Sequence, residues 1–275
     1  MPQPVDLAYA IGLAPEAAIA YFRAKGYQIA WSWLDVWQEA HAKAFTVAGV
    51  MKLDVLQDIR SAVDTALAKG ETYSDFENQL KPTLQAKGWW GRNAQIDMNT
   101  GEMAGKALTA WRLKTIFQTN LQTAYQAGRY QSFMGNVTDR PYWMYVAVMD
   151  RRTRPQHAAL NGRVFRANDP FWDSFYPPNG FNCRCRVRAL DDDNLRERDL
   201  ALSSSQGKLS KIDVPTSRQP GAPKTTVERF EYAPRKYVAP DPGWSYNPGK
   251  VKWQPDLTRY DADLVKKYDD RTQGR

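Results

Sequence analysis

The chain is poor in the side chains that most often build enzyme centres. Among 275 residues only His41 and His157 are histidines, and only Cys183 and Cys185 are cysteines. Two thiols one residue apart are too close for an easy disulfide and too few to staple a secreted fold. No apolar run approaches the roughly 20 residues that a bilayer span needs. The N-terminus, MPQPVDLAYA, lacks a basic start followed by an apolar stretch, so no secretory signal is read and folding in a cytoplasm is expected. A nucleophile elbow, a phosphate-cradling glycine loop, an H-E-x-x-H helix and an evident pair of site carboxylates are all missing. Together these absences predict a protein that is not an enzyme, and there is no internal repeat.

What is present is an ordinary globular composition, 43% hydrophobic and 25% charged, on a chain long enough for one large domain or two small ones. The net charge of +8 suits nucleic acid or an acidic protein partner, and equally serves solubility.

The N-terminal half reads as helices. Pro15 stands where a first-turn proline belongs, with Ile19 and Phe22 at helical spacing before Gly26. Trp33, Trp37, His41 and Ala44 make one stripe, on which His41 reads as a core histidine. Leu56, Ile59, Val63 and Leu67 form an apolar face closed by Gly70. Ser74 and Glu77 suggest a capping box for a helix carrying Phe76, Leu80 and Leu84, which Pro82 is expected to kink or split and Gly88 to end. Residues 88–107 read as a long loop with Trp89 and Trp90 exposed. Leu113, Ile116, Phe117, Leu121 and Ala124 give a strong helical face. Tyr142 to Met149 has the pattern of a central strand buried on both sides. From about residue 191 the chain turns polar and reads as a linker, with ordered patches at Val227–Tyr237 and around Trp244 and Tyr246, and a short polar helix near the end.

The segment from Asp150 to Leu190, DRRTRPQHAALNGRVFRANDPFWDSFYPPNGFNCRCRVRAL, holds the chemistry. If Cys183 to Leu190 is a strand, period-two alternation puts Cys183, Cys185, Val187 and Ala189 on one face and Arg184, Arg186 and Arg188 on the other. With His157 folded back, the inward thiols suit a zinc ion, and Asp150 is a candidate fourth ligand. The alternative is two small buried residues beside a hydrogen-bonded histidine. The arginine row is either a solvated strand face or a contact for phosphates or acidic side chains, with Arg151, Arg152, Arg154, Arg163 and Arg166 adding to it. His157 with Asn161 and Asn168 is a faint match to a metal-dependent nuclease, short of ligands.

The ordered set DRRTRPQH (150–157), Leu160-Asn161-Gly162, Asp169-Pro170 with Trp172, Pro177-Pro178-Asn179-Gly180 and NCRCR (182–186) resembles the signature of the phage Mu F-like domain, within the head-morphogenesis family of tailed phages. KGYQIAWSWLDVWQEAHAKAFTVAGV (25–50), KGWWG (87–91), RLKTIFQTNLQTAYQAGRY (112–130) and PDPGWSYNPG (240–249) extend the resemblance over nearly the whole chain. It implies a minor capsid protein of the virion interior or portal vertex, with portal protein, major capsid protein or both as partners. Double-stranded DNA is a further candidate partner, and membrane is not expected. In related members a Cys stands where His157 stands here, an exchange that a zinc ligand tolerates. No toxin module of the kind some larger relatives carry is recognisable, which speaks against an effector role. The expected architecture is α+β: a helical region over 1–107 that contacts portal or capsid, a Mu F-like α+β domain with the H…C-x-C cluster over 108–192, and a linker with an extended C-terminal arm over 193–275.

Overall fold

The computed structural model describes residues 15–29, 44–92, 94–96, 103–217 and 219–251. The Trp33/Trp37/His41 stripe and the expected C-terminal helix lie outside the described residues. The class is α+β, with a helical N-terminal part followed by small sheets.

Helix α1 (Pro15–Arg23) buries Ala18, Tyr21 and Phe22. Strands β1 (Gly26–Tyr27) and β2 (Ala44–Phe45) pair in parallel. Helix α2 (Leu53–Lys69) sinks the expected Leu56, Ile59, Val63 and Leu67 face to 1% exposure or less, and Gly70 closes it at φ 66, where an L side chain would be strained. Helix α3 (Tyr73–Ala86) corrects its sequence reading. Its capping box uses Thr72 and Asp75, because the chain enters the helix two residues before Ser74. Pro82 sits inside without dividing the helix.

The stretch after α3 is not the expected bare loop. The Trp89 ring is 2% exposed, and its backbone accepts from Leu108 at 2.8 Å, so burial holds a tryptophan whose polar neighbours suggest solvent. Strands β3 (Ala94–Ile96) and β4 (Met103–Lys106) pair antiparallel beside it.

Helix α4 (Ala110–Gly135) has 26 residues, and so runs about 39 Å. Its first half carries Leu113, Phe117, Leu121 and Ala124 into a core shared with α1, α2 and α3, and its last turns carry Tyr130 and Phe133 into a second core. It approaches α1 closely at Gly128, where an added Cβ would lie 3.0 Å from the backbone nitrogen of Ala18.

The second core surrounds a three-stranded antiparallel sheet in the order β6 (Val164–Arg166), β5 (Tyr142–Val146), β7 (Arg186–Leu190). Strand β5 is central, as its sequence predicts: Trp143 and Tyr145 face the large cluster, while Tyr142 joins Val164 and Leu190 on the other face. Two short helices, α5 (Pro155–Ala158) and α6 (Phe171–Ser174), lie between β5 and β7. Phe171, Trp172 and Tyr176 fill the sheet's inner face with stacked and edge-on rings.

The region expected as linker and arm carries structure of its own. Helix α7 (Asp192–Glu197) is followed by β8 (Leu209–Pro215), β9 (Lys224–Ala233) and β10 (Lys236–Val238), an antiparallel sheet in the order β10-β9-β8. Phe230 and Val238 anchor it in the second core, which is how so polar a stretch becomes ordered. The following turn places Trp244 and Tyr246 in the first, helical core. Asn247 donates to Trp172 O at 2.9 Å, and Gln131 donates to Gly249 O at 2.8 Å. Residues 240–249 thus clasp both cores.

Candidate functional site

The two cysteines do not lie in the strand the sequence suggests: β7 begins only at Arg186, and Cys183 and Cys185 occupy the segment leading into it after Asn182 turns the chain with φ 58. The alternation survives nonetheless: Cys183, Cys185, Val187 and Ala189 are buried, whereas Arg184 and Arg186 are half-buried and Arg188 is exposed. The single turn of α5 brings His157 to the thiols. Its Nδ1 lies 3.5 Å from Cys185 Sγ and 3.8 Å from Cys183 Sγ. One ligand atom from each of the three residues falls within 4.8 Å of the others, and all three residues are buried. Burial pushes the Cys183 thiol up, but hydrogen bonds from Cys185 and His157 outweigh it and hold Cys183 well below the ordinary range. The hydrogen bond from Cys183 and burial hold Cys185 well above that range.

Asp150, the candidate fourth ligand, is elsewhere. Its two oxygens receive the Arg184 fork at 2.7 and 2.5 Å, and it is not among the residues whose ligand atoms converge with the sulfurs. Arg184 therefore holds the Asp150 carboxyl well below the usual carboxylate range. This pairing also removes Arg184 from the expected outward row. Arg154 is likewise committed, forming an ion pair with Asp241 and donating to Phe181 O at 2.5 Å. Gly180 is needed there, since a Cβ would run into both members of that pair. Arg163 donates to Tyr232 O, and Arg166 lies over the Tyr142 ring. Arg151 is exposed. Arg186 and Arg188 remain outward, and burial together with Arg198, Arg186 and Arg140 lowers Arg188 from its ordinary value. Arg140 lies 3.8 Å from Asp191. The basic surface is thus Arg186, Arg188, Arg198 and Arg140, shifted along the sheet from where the sequence alone suggests.

Other signature residues hold the local fold. Asn161 Oδ1 accepts from Ala147 N at 2.9 Å, Asp169 Oδ1 accepts from Phe171 N at 2.9 Å, and Asn179 Oδ1 accepts from the Tyr145 hydroxyl at 2.9 Å. The sequence reading missed a row on α4. Strand β7 is an edge strand, and its outer carbonyls need donors. Gln122 donates to Cys185 O at 2.7 Å, Gln126 to the same oxygen at 3.5 Å, and Arg129 to Val187 O at 3.0 Å. The available signal was three polar residues at i, i+4 and i+7 of QTAYQAGR, a spacing that by itself reads as a solvated helix face.

The sequence that builds this site is similar to those of a family of phage proteins. Residues 57–188 match the family described as "Phage Mu protein F like protein", and the chain is a member of the Mu F-like phage proteins. It is 45% identical over 257 residues to the "Putative capsid assembly protein F" of Escherichia phage Mu, covering 92% of this chain and 58% of that protein. It is 39% identical over 235 residues to the "Mu-like prophage FluMu F protein" of Haemophilus influenzae, covering 83% of this chain and 55% of that one. The chain thus spans somewhat over half the length of these relatives. No solved structure matches it.

Proposed function

We propose that the chain is a head-morphogenesis protein of a phage particle, a non-catalytic minor component that works at the portal vertex by binding other head proteins. The carrying observation is its 45% identity, over 92% of the chain, to a protein named for capsid assembly. That span contains the whole Asp150–Leu190 block. Polar side chains of the block tie it to the rest of the fold, Arg154 to Asp241, Asp169 to Ser205 and Ser174 to Glu228, which suits a rigid binding module. Arg186, Arg188, Arg198 and Arg140 then offer guanidinium forks to an acidic face of portal or major capsid protein. A nuclease reading gains no support, because His157 is buried against two sulfurs and the Asn161 side chain holds a backbone amide.

Affinity capture of the tagged chain from cells making phage heads should recover portal protein or proheads. Replacing Arg188 and Arg198 together by Glu should reduce that recovery at least several-fold while leaving the melting curve near the parent's, as expected for exposed charges. A phage lacking the gene that still builds normal infectious heads would refute the reading.

The same arginines support a second reading, contact with double-stranded DNA. Neutralising about three phosphates predicts that log affinity falls with log salt at a slope of roughly −3. Absence of binding at low salt assigns the surface to protein.

A further inference from the structure

We propose that His157, Cys183 and Cys185 bind a zinc ion through Nδ1 and the two thiolates, with a water molecule as the fourth ligand. The proposal is independent of the assembly role.

Three observations carry it. The first is spacing. Zinc takes sulfur at about 2.3 Å and imidazole nitrogen at about 2.0 Å, so a tetrahedral site sets nitrogen and sulfur about 3.5 Å apart. The structure has 3.5 and 3.8 Å between Nδ1 and the two sulfurs. Two edges of the tetrahedron a metal would impose are thus in place, and all three ligand atoms lie within 4.8 Å of one another.

The second is the histidine's surroundings. His157 is 5% exposed, and its Nε2 has no hydrogen-bond partner among the described residues. A histidine buried only for packing is ordinarily anchored through an oxygen or a backbone group. Here Nδ1 meets sulfur alone, and sulfur is a weak hydrogen-bonding partner. Soft thiolates converging with one imidazole nitrogen are instead the donor set zinc prefers.

The third is an opening of about 20 Å³ at the cluster, lined by Thr153, Asn182 and Arg184 beside the three ligand residues. That is room for about one water. It accounts for a site with three protein ligands once Asp150 is tied to Arg184. Two thiolates neutralise the ion's charge, so the filled site is tolerable at this depth.

The metal would join the short helix α5 to the start of β7, across 26 and 28 residues of intervening chain. Gln122 fixes the same Cys185 backbone from the other side, so the ligand is held before the ion arrives.

The test uses the full chain purified without chelator. Elemental analysis should find about one zinc per chain. Replacing zinc with cobalt(II) should produce the intense near-ultraviolet thiolate charge-transfer absorption of a tetrahedral cobalt–sulfur site. Chelation of the folded chain should lower its melting temperature and make both thiols at least tenfold faster to react with a disulfide reagent. His157→Cys should retain cobalt with a stronger thiolate band, while His157→Ala and Cys183→Ser lose it. The chelation and thiol-rate measurements need no variant, so they decide the matter even where a substitution prevents folding. Metal-free protein as isolated, no cobalt band and unchanged thiol rates would overturn the proposal, leaving the cluster as packed neutral thiols.

Discussion

The two hydrophobic cores of this chain are built on different plans. The helical core is assembled from repeating apolar stripes on α1, α2, α3 and the first half of α4, joined by Trp244 and Tyr246. The core around β5 is aromatic, and its walls are pinned by polar pairs whose members lie far apart: Gln122 with Cys185, Asp150 with Arg184, Arg154 with Asp241. In the first, many side chains do the same job and a lost contact is shared among neighbours. In the second, each polar pin closes one gap, and removing one member leaves a particular buried group without its partner. A fold that must present a fixed surface gains from the second plan, since hydrogen-bond geometry admits fewer alternatives than apolar packing does.

The sharpest way to break this comparison is to truncate one large residue in each core. Trp172→Ala should cost about 3–5 kcal/mol and Ile59→Ala about 2–5 kcal/mol in chemical denaturation. Because α4 and the 240–249 clasp enter both cores, each variant should still unfold in one transition by far-ultraviolet dichroism and by thiol exposure. Separate midpoints would mean that the cores are independent. A smaller effect isolates the strand-edge row. Gln122→Leu leaves Cys185 O with only the longer Gln126 contact and should cost about 1–3 kcal/mol, measured the same way. Gln79→Leu, at an exposed position of α3, should not match it, and equal losses would deny that the edge carbonyl matters.

Smaller again is the Arg154–Asp241 pair, each about one-third exposed at the side chain. Solvent screening limits its coupling to roughly 1 kcal/mol in a double-mutant cycle. No coupling would leave the clasp to Trp244 and Tyr246 alone. The least effect concerns pH. Asp150 has its carboxyl lowered by Arg184, so the pair's contribution is present above the unfolded carboxyl value of about 3.9 and disappears as pH falls through the lower folded value. Asp150→Asn should therefore flatten the acid limb of a melting-temperature profile slightly and leave the neutral region little changed. An acid limb identical to the parent's would remove the pair from the stability account.

Legibility in the sequence followed the same division. The α2 face, the α4 face and the central strand could be read because periodicity reports burial directly. The capping box was misplaced by two residues, since Thr72-x-x-Asp75 and Ser74-x-x-Glu77 offer the same chemistry and only the chain's entry angle chooses between them. The Trp89 ring was misjudged because β4 covers it, with Gly105 against the ring, and its sequence neighbours do not announce that strand. The arm after residue 191 looked like linker because its apolar anchors, Phe230 and Val238, are sparse.

The Cys183/Cys185 alternation was legible in the sequence alone, because the chain leading into β7 already alternates its side chains with a period of two and needs no partner to do so. His157 could be named beside them, but its approach to within 3.5 Å is set by the turn of α5 against β5 and β7. Whether Asp150 would join the metal ligands or an arginine, which of the three arginines stayed outward, and what capped the strand edge were decided only in the tertiary structure. Those outcomes are contests between partners up to 87 residues apart, and a contest of that kind is settled by which groups packing brings within hydrogen-bond reach.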